Sequence, residues 1–313
     1  MNNVSVIGAG AWGTALAIQA HRAGATVTLW ARTPFAGRAS PHLAAHPLPG
    51  AITVTSELPG AADATILAVP LQHMRAVAGR LDAGGPVLVC AKGVEAGRLR
   101  LPLEVLAEAL PGARSAVLTG PNFAHEVAAG LPAASVVAGT DPALRAAFIA
   151  MLGSPSFRLY GNDDPVGAQI GGAAKNVIAI AAGVVMGAGL GENARAALIT
   201  RGLAELGRLT VALGGRAETV AGLSGLGDLM LTCTGASSRN FRCGLALGRG
   251  ETLAEAIAQA GGVVEGVATA PALVARAAGV DLPVCTGVAA LLAGQTGLRD
   301  LIAGLMSRPT RDE

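Results

Sequence analysis

The sequence predicts a doubly wound α/β sheet over residues 1–162, followed by an all-α region over 163–313. Three observations carry this. Short β-branched runs alternate with alanine-rich helical stretches through the first half, the pattern of a parallel sheet covered by helices on both faces. The strand pattern stops after Tyr160, where Gly161-Asn162-Asp163-Asp164-Pro165 reads as a loop closing on a helix start. Beyond it the apolar spacing is helical to the end. Composition agrees: 51% of the 313 residues are hydrophobic, only 14% are charged and 44 are glycine, so much apolar surface must be buried in a globular chain.

The first strand is expected at 4–7, running straight into Gly8-Ala9-Gly10-Ala11-Trp12-Gly13 and an alanine-rich helix. Further strands are expected at 26–30, 52–55, 65–69, 87–90, 116–119, 135–138 and 157–160, most of them bounded by glycine or proline. Asp164 is placed to cap the next helix, with Pro165 first inside it. Helical spacing recurs at 194–213, 253–260 and 271–278, and the polar tail 307–313 is expected to fray.

Several function classes are excluded at this level. A net charge of +2 gives no global basic field for nucleic acid. The longest uncharged run, 177–191, is about 15 residues and rich in glycine, short of the roughly 20 apolar residues a bilayer span needs, so no stable membrane insertion is expected. Cys90, Cys233, Cys243 and Cys285 have neither zinc-site spacing nor disulfide-scaffold density; they read as reduced, buried thiols, and no metal is expected. No basic stretch precedes an apolar core and cleavage site, so a cytoplasmic chain is expected.

Gly8, Gly10 and Gly13 form GxGxxG between a strand and a helix. This is the Rossmann-type arrangement in which the first glycine permits the turn, the second admits a pyrophosphate and the third lets helix and strand pack. An NAD-preferring site has an acidic residue about 20 positions on, whereas Leu29-Trp30-Ala31-Arg32 offers a cation suited to a 2′-phosphate, which favours NADPH. Cys90-Ala91-Lys92-Gly93 and Gly120-Pro121-Asn122-Phe123-Ala124 follow other strands, where open α/β sheets bind their ligands. Lys92 reads equally as a solvated rim charge.

In the second half, Lys175 and Asn176 sit in a helix otherwise made of small and apolar residues. Burial lowers an amine's pKa toward the operating pH, which suits a proton donor to a carbonyl or an acceptor from an alcohol; a lysine snorkelling at a domain boundary is the bland alternative. Gly225-Leu226-Gly227-Asp228 and Ser237-Ser238-Arg239-Asn240 are polar clusters in alanine-rich surroundings, and the second reads as a phosphate clamp or as helix-capping residues.

These pieces, together with 193–202, 222–234 and Val264-Glu265-Gly266, resemble the bacterial-type NAD(P)-dependent glycerol-3-phosphate dehydrogenases along nearly the whole chain, from Gly8 to Gly266. The resemblance implies a dinucleotide-binding domain over 1–162 and a helical substrate-binding, catalytic domain over 163–313. The cofactor, NADPH with NADH as alternative, would meet Gly8, Gly10, Ala11, Trp12, Gly13, Arg32, Lys92, Gly120, Asn122, Ala124, Arg239, Val263 and Glu265. Dihydroxyacetone phosphate or sn-glycerol 3-phosphate would be held by Lys92, Gly120, Lys175, Asp228, Ser238, Arg239 and Asn240. Lys175 would be the proton acceptor, with Lys92 and Asp228 as further catalytic groups. A homodimer and a role in phospholipid precursor supply are implied in the same way. Ala11 and Asn122 stand where relatives often carry small hydroxyl residues, and Gln169 where a glutamate is frequent, a missing charge about a turn before Lys175. A hydroxy-acid reductase is the rival within the class; a non-catalytic dinucleotide sensor would not need Lys92, Lys175 and Asp228 together.

Overall fold

Eight strands form one sheet in the order β3-β2-β1-β4-β5-β6-β7-β8 in a computed structural model that describes residues 2–306 except Pro34, Ala36 and Ala83. The tail 307–313, expected to fray, lies outside the described residues. The strands are β1 (Asn3–Ile7), β2 (Thr26–Trp30), β3 (Thr53–Thr55), β4 (Ala64–Leu67), β5 (Val87–Val89), β6 (Ser115–Thr119), β7 (Ala133–Ala138) and β8 (Phe157–Asn162). Each overlaps a run picked from the sequence, but β8 continues through Gly161 and Asn162, expected as loop, because they pair with Val137 and Ala138 of β7. Helices α1 (Ala11–Arg22), α2 (Leu71–Ala78), α3 (Pro102–Ala109), α4 (Ala124–Ala129) and α5 (Pro142–Leu152) connect them.

Both faces of the sheet are covered, as the near-continuous apolar strands require. Val6, Leu29, Ile66 and Leu88 share one core with Leu16 of α1 and Phe148 and Leu152 of α5. Their neighbours Ile7, Trp30, Leu67 and Val89 point the other way and share a second core with Leu71 and Met74 of α2 and Val105 and Leu106 of α3. One expectation is corrected: β6 and β7 pair antiparallel, so β7 and β8 run against the other six strands. The six residues of α4 span only about 9 Å, too short to return the chain along a five-residue strand of roughly 17 Å, so the chain turns back instead of crossing over.

After β8 the described chain is helical: α6 (Pro165–Gly187), α7 (Gly191–Ala212), α8 (Ala217–Val220), a π-helical turn (Leu223–Gly227), α9 (Asp228–Thr234), α10 (Arg239–Gly248), α11 (Leu253–Ala260), α12 (Glu265–Arg276), α13 (Pro283–Leu292) and α14 (Leu298–Met306). The sequence placed the α12 helix at 271; it starts at Glu265 and carries Pro271 inside, sacrificing one backbone hydrogen bond rather than ending there. The axis of this half is α6. By length and composition it could cross a bilayer, yet 89% of its most apolar stretch is buried inside the protein, so it is a core helix. Its contact with α10 is backbone to backbone: a Cβ at Gly183 would stand 2.1 Å from the Phe241 carbonyl oxygen. Asp164 caps α6 as expected, accepting from the Gly167 N–H at 2.9 Å.

Candidate active site

The strand order reverses beside β1, which has β2 on one side and β4 on the other, so a crevice opens beyond their carboxyl ends. Gly8 leaves β1 with φ +113°, and a Cβ there would lie 2.6 Å from the Ala68 carbonyl oxygen. At Gly13 a Cβ would lie 1.8 Å from the Gly8 carbonyl oxygen, so helix and turn can meet only through glycine. Gly10 behaves differently: a Cβ would meet nothing within 4 Å, and no side chain caps α1 there. The first N–H groups of α1 therefore remain for an anion, with no acidic residue in the first turn to oppose it. Ala11 and Trp12 line this end half-buried, and Arg32 is exposed two residues past β2.

Further along the rim, Gly120 follows β6 with φ +138°. Beside it two buried polar atoms lack partners, Thr119 Oγ1 and Asn122 Oδ1. Asn122 donates its amide to Ser135 Oγ at 2.6 Å and to the Ala134 carbonyl at 3.2 Å, which fixes its oxygen as the orphan acceptor. Orphaned buried groups are rare unless a ligand completes them, so the glycine cradle and the polar rim both fit a dinucleotide. Ala124 is half-buried at the start of α4.

The structure brings three sequence candidates into one cluster. Asp228, wholly buried, accepts from Lys175 Nζ at 2.5 Å and, through its other oxygen, from Lys92 Nζ at 2.5 Å. Lys92 also donates to the Gly120 carbonyl at 3.3 Å. Lys175 is 8% exposed. Burial lowers its ammonium to about 8; the Asp228 carboxylate pulls it back up, and the Lys92 cation adds to the lowering. Thr232, which sequence reasoning missed, accepts from Lys175 Nζ at 3.0 Å and donates to the Asp228 carbonyl one turn earlier. Its signal was the four-residue spacing from Asp228 on one helix face.

Gln169 does not face Lys175. Its amide accepts from the Leu103 N–H at 2.8 Å, joining α6 to α3, and donates to the Pro165 carbonyl at 2.7 Å.

At the start of α10, Ser238 is the N-cap and accepts from the Phe241 N–H at 3.2 Å. Asn240 donates to Asn176 Oδ1 and accepts from the Gly266 N–H, both at 2.9 Å, tying α10 to α6 and α12. These two side chains are engaged in the fold, and what the helix start offers an anion is its free N–H groups and the exposed Arg239. Burial raises the Glu265 carboxyl to about 7, against the opposing charge of Arg239, and Val263 next to this segment is 50% exposed. The four cysteines are each buried as free thiols.

A crevice that leaves backbone N–H groups open to a pyrophosphate, faced by a buried amine paired with a buried carboxylate, is the arrangement of a nicotinamide-dependent oxidoreductase. Comparison with known proteins narrows the class. Residues 3–145 match the N-terminal and residues 164–303 the C-terminal family model of NAD-dependent glycerol-3-phosphate dehydrogenase. The chain belongs to that family. A glycerol-3-phosphate dehydrogenase of Caulobacter vibrioides named for NAD(P)+ is 54% identical over 325 residues, covering 99% of this chain and 98% of the relative. One from Bradyrhizobium sp. strain BTAi1 is 52% identical over 322 residues, covering 99% and 98%. Among solved structures, the crystal structure of a glycerol-3-phosphate dehydrogenase from Coxiella burnetii superposes with a TM-score of 0.93 at 36% identity, covering 98% of this chain and 99% of that one.

Proposed function

We propose that this chain interconverts dihydroxyacetone phosphate and sn-glycerol 3-phosphate, with residues 1–162 holding NADPH, NADH serving as the alternative, and residues 163–313 holding the substrate. The observation that carries the reading is the Lys175–Asp228–Lys92 cluster at the carboxyl rim of the sheet. Gly8, Gly10 and Gly13 would hold the pyrophosphate of the dinucleotide, which would supply the hydride. The Lys175 ammonium gives a proton to the C2 oxygen as that carbon becomes an alcohol, and the neutral amine takes it back in the reverse direction. Lys92 shares the same carboxylate, so its charge stands beside the oxygen on which negative charge grows. Asp228 neutralises part of the double positive charge and holds both amines in register. Arg239 and the α10 N-terminus anchor the phosphate, and that remote binding energy orients the carbonyl. Arg32 faces the 2′-phosphate. Family membership supports a cytoplasmic homodimer supplying glycerol phosphate for phospholipid synthesis.

The test is initial-rate oxidation of NADPH, and of NADH in parallel, with dihydroxyacetone phosphate, unphosphorylated dihydroxyacetone or a 2-keto acid. Turnover confined to the phosphorylated ketone supports the reading; turnover with the keto acid alone replaces it with a hydroxy-acid reductase. Lys175→Ala lowers kcat by about 10²- to 10⁴-fold and leaves the NADPH dissociation constant near its wild-type value. Near-normal turnover in this variant would remove Lys175 as the acid/base.

A further inference from the structure

The cluster joins groups from three separate carriers: Lys175 on α6, Asp228 at the end of the π-helical turn, and Lys92 on the segment after β5. Two adjacent glycines of α6, one turn before Lys175, touch the other two carriers. A Cβ at Gly171 would stand 2.2 Å from the Ser224 carbonyl oxygen and 3.3 Å from Gly225 Cα, the backbone of the π-helical turn that runs directly into Asp228. A Cβ at Gly172 would stand 3.3 and 3.4 Å from Cγ and Cδ of the Lys92 stem, and 3.2 Å from the orphaned Thr119 Oγ1. The turn is itself closely packed on the end of α8: a Cβ at Gly225 would lie 2.1 Å from the Val220 carbonyl oxygen. Neighbouring helix residues point about 100° apart, so one small residue cannot serve both contacts and two in a row are needed.

We propose that Gly171 and Gly172 are positioning residues of the reaction, seating α6 at the depth where the Lys175 and Lys92 amines reach opposite oxygens of Asp228. Gly171 sets the approach of α6 to the backbone that carries Asp228, and Gly172 sets the path of the Lys92 stem. A side chain at 171 separates Lys175 from Asp228. A side chain at 172 displaces the Lys92 ammonium, by less, because its contacts are with a flexible stem.

The same helix provides a matched control. A Cβ at Gly187 would lie 2.2 Å from the Leu245 carbonyl oxygen, as tight a contact as at Gly171, but against α10 and more than three turns from Lys175. The experiment compares Gly171→Ala, Gly172→Ala and Gly187→Ala in the full-length enzyme by thermal midpoint, NADPH titration, KM for dihydroxyacetone phosphate and the pH dependence of kcat. Gly171→Ala and Gly187→Ala are expected to lose similar thermal stability. Only Gly171→Ala lowers kcat, on the order of 10²-fold for a misplacement near 1 Å, and moves the kcat inflection to lower pH as Lys175 loses the attraction of Asp228. Gly172→Ala keeps its thermal midpoint but raises KM and lowers kcat. The proposal fails if the Gly171→Ala inflection and kcat match those of Gly187→Ala, and, should Gly171→Ala not fold, it fails if Gly172→Ala is kinetically wild type. It rests on Lys175 as the acid/base, which Lys175→Ala tests separately: turnover surviving that substitution removes the reading, whereas glycine variants without kinetic effect remove only the placement.

Discussion

A lysine ammonium in water holds its proton to about 10.4, and in this protein burial brings Lys175 to about 8 even with a carboxylate against it. With Lys175 in the proposed acid/base role, reduction of the ketone is predicted to be steady below that value and to fall as pH rises through about 8, and oxidation of the alcohol to rise over the same window. Asp228 raises Lys175, so Asp228→Asn is predicted to move both inflections to lower pH, a shift read directly from pH–rate profiles in the two directions. An upward shift would contradict the electrostatic account. The same substitution leaves two amines around a neutral amide in a buried site, and denaturant unfolding should show a loss of about 3–5 kcal/mol, typical when one member of a buried ion pair is removed. At this scale the sequence was informative but incomplete. Lys175 and Asp228 stood out as polar residues in apolar helices. Thr232 did not, because its partner Lys175 lies 57 positions away and only the fold brings them together.

Asp164 is the joint between sheet and helices. Its carboxylate accepts from the Gly167 N–H at 2.9 Å, the Arg216 N–H at 2.8 Å and Thr219 Oγ1 at 2.7 Å, so it caps α6 and pins the segment leading into α8. Burial pushes its carboxyl up, but these hydrogen bonds outweigh it and hold the group below the ordinary 3.8. A lowered carboxylate contributes stability that is complete above its unfolded value and is lost as pH falls through the folded one. Asp164→Ala is therefore predicted to cost about 1–3 kcal/mol at neutral pH, with the deficit shrinking in acid; an unchanged denaturation midpoint at neutral pH would count against it. The cap was legible because Asp-Pro at a loop end is a local signal. Strand positions were legible for the same reason, as β-branched runs between glycines and prolines. The direction of β7 was not, since it depends on how far α4 can carry the chain, and neither was the start of α12, where proline read as a beginning rather than an interior residue.

Over the whole molecule, the reversal of β7 and β8 decides where the helical half begins. Asn162 at the end of β8 pairs with Ala138, which pairs with Val117, so the chain leaves the sheet below the rim on which Lys92 and Gly120 stand. From Pro165, α6 climbs back to that rim: Gly120 stands three residues, about 10 Å, above the level of Val117, and the ten residues to Lys175 supply about 15 Å of rise, enough to reach it. This stretch is a measuring rod: its length sets the altitude and bearing of Lys175, while the glycines at 171 and 172 set how deeply it lies. One alanine inserted after Ala168 would lift Lys175 by about 1.5 Å and swing it by about 100°, and is predicted to abolish turnover while NADPH still titrates normally. The same insertion at Gly250, in the turn between α10 and α11, should leave the rate intact. A change in the rod's residue count leaves the glycine cradle whole but takes Lys175 away from Asp228, so the cofactor site no longer faces an assembled proton site.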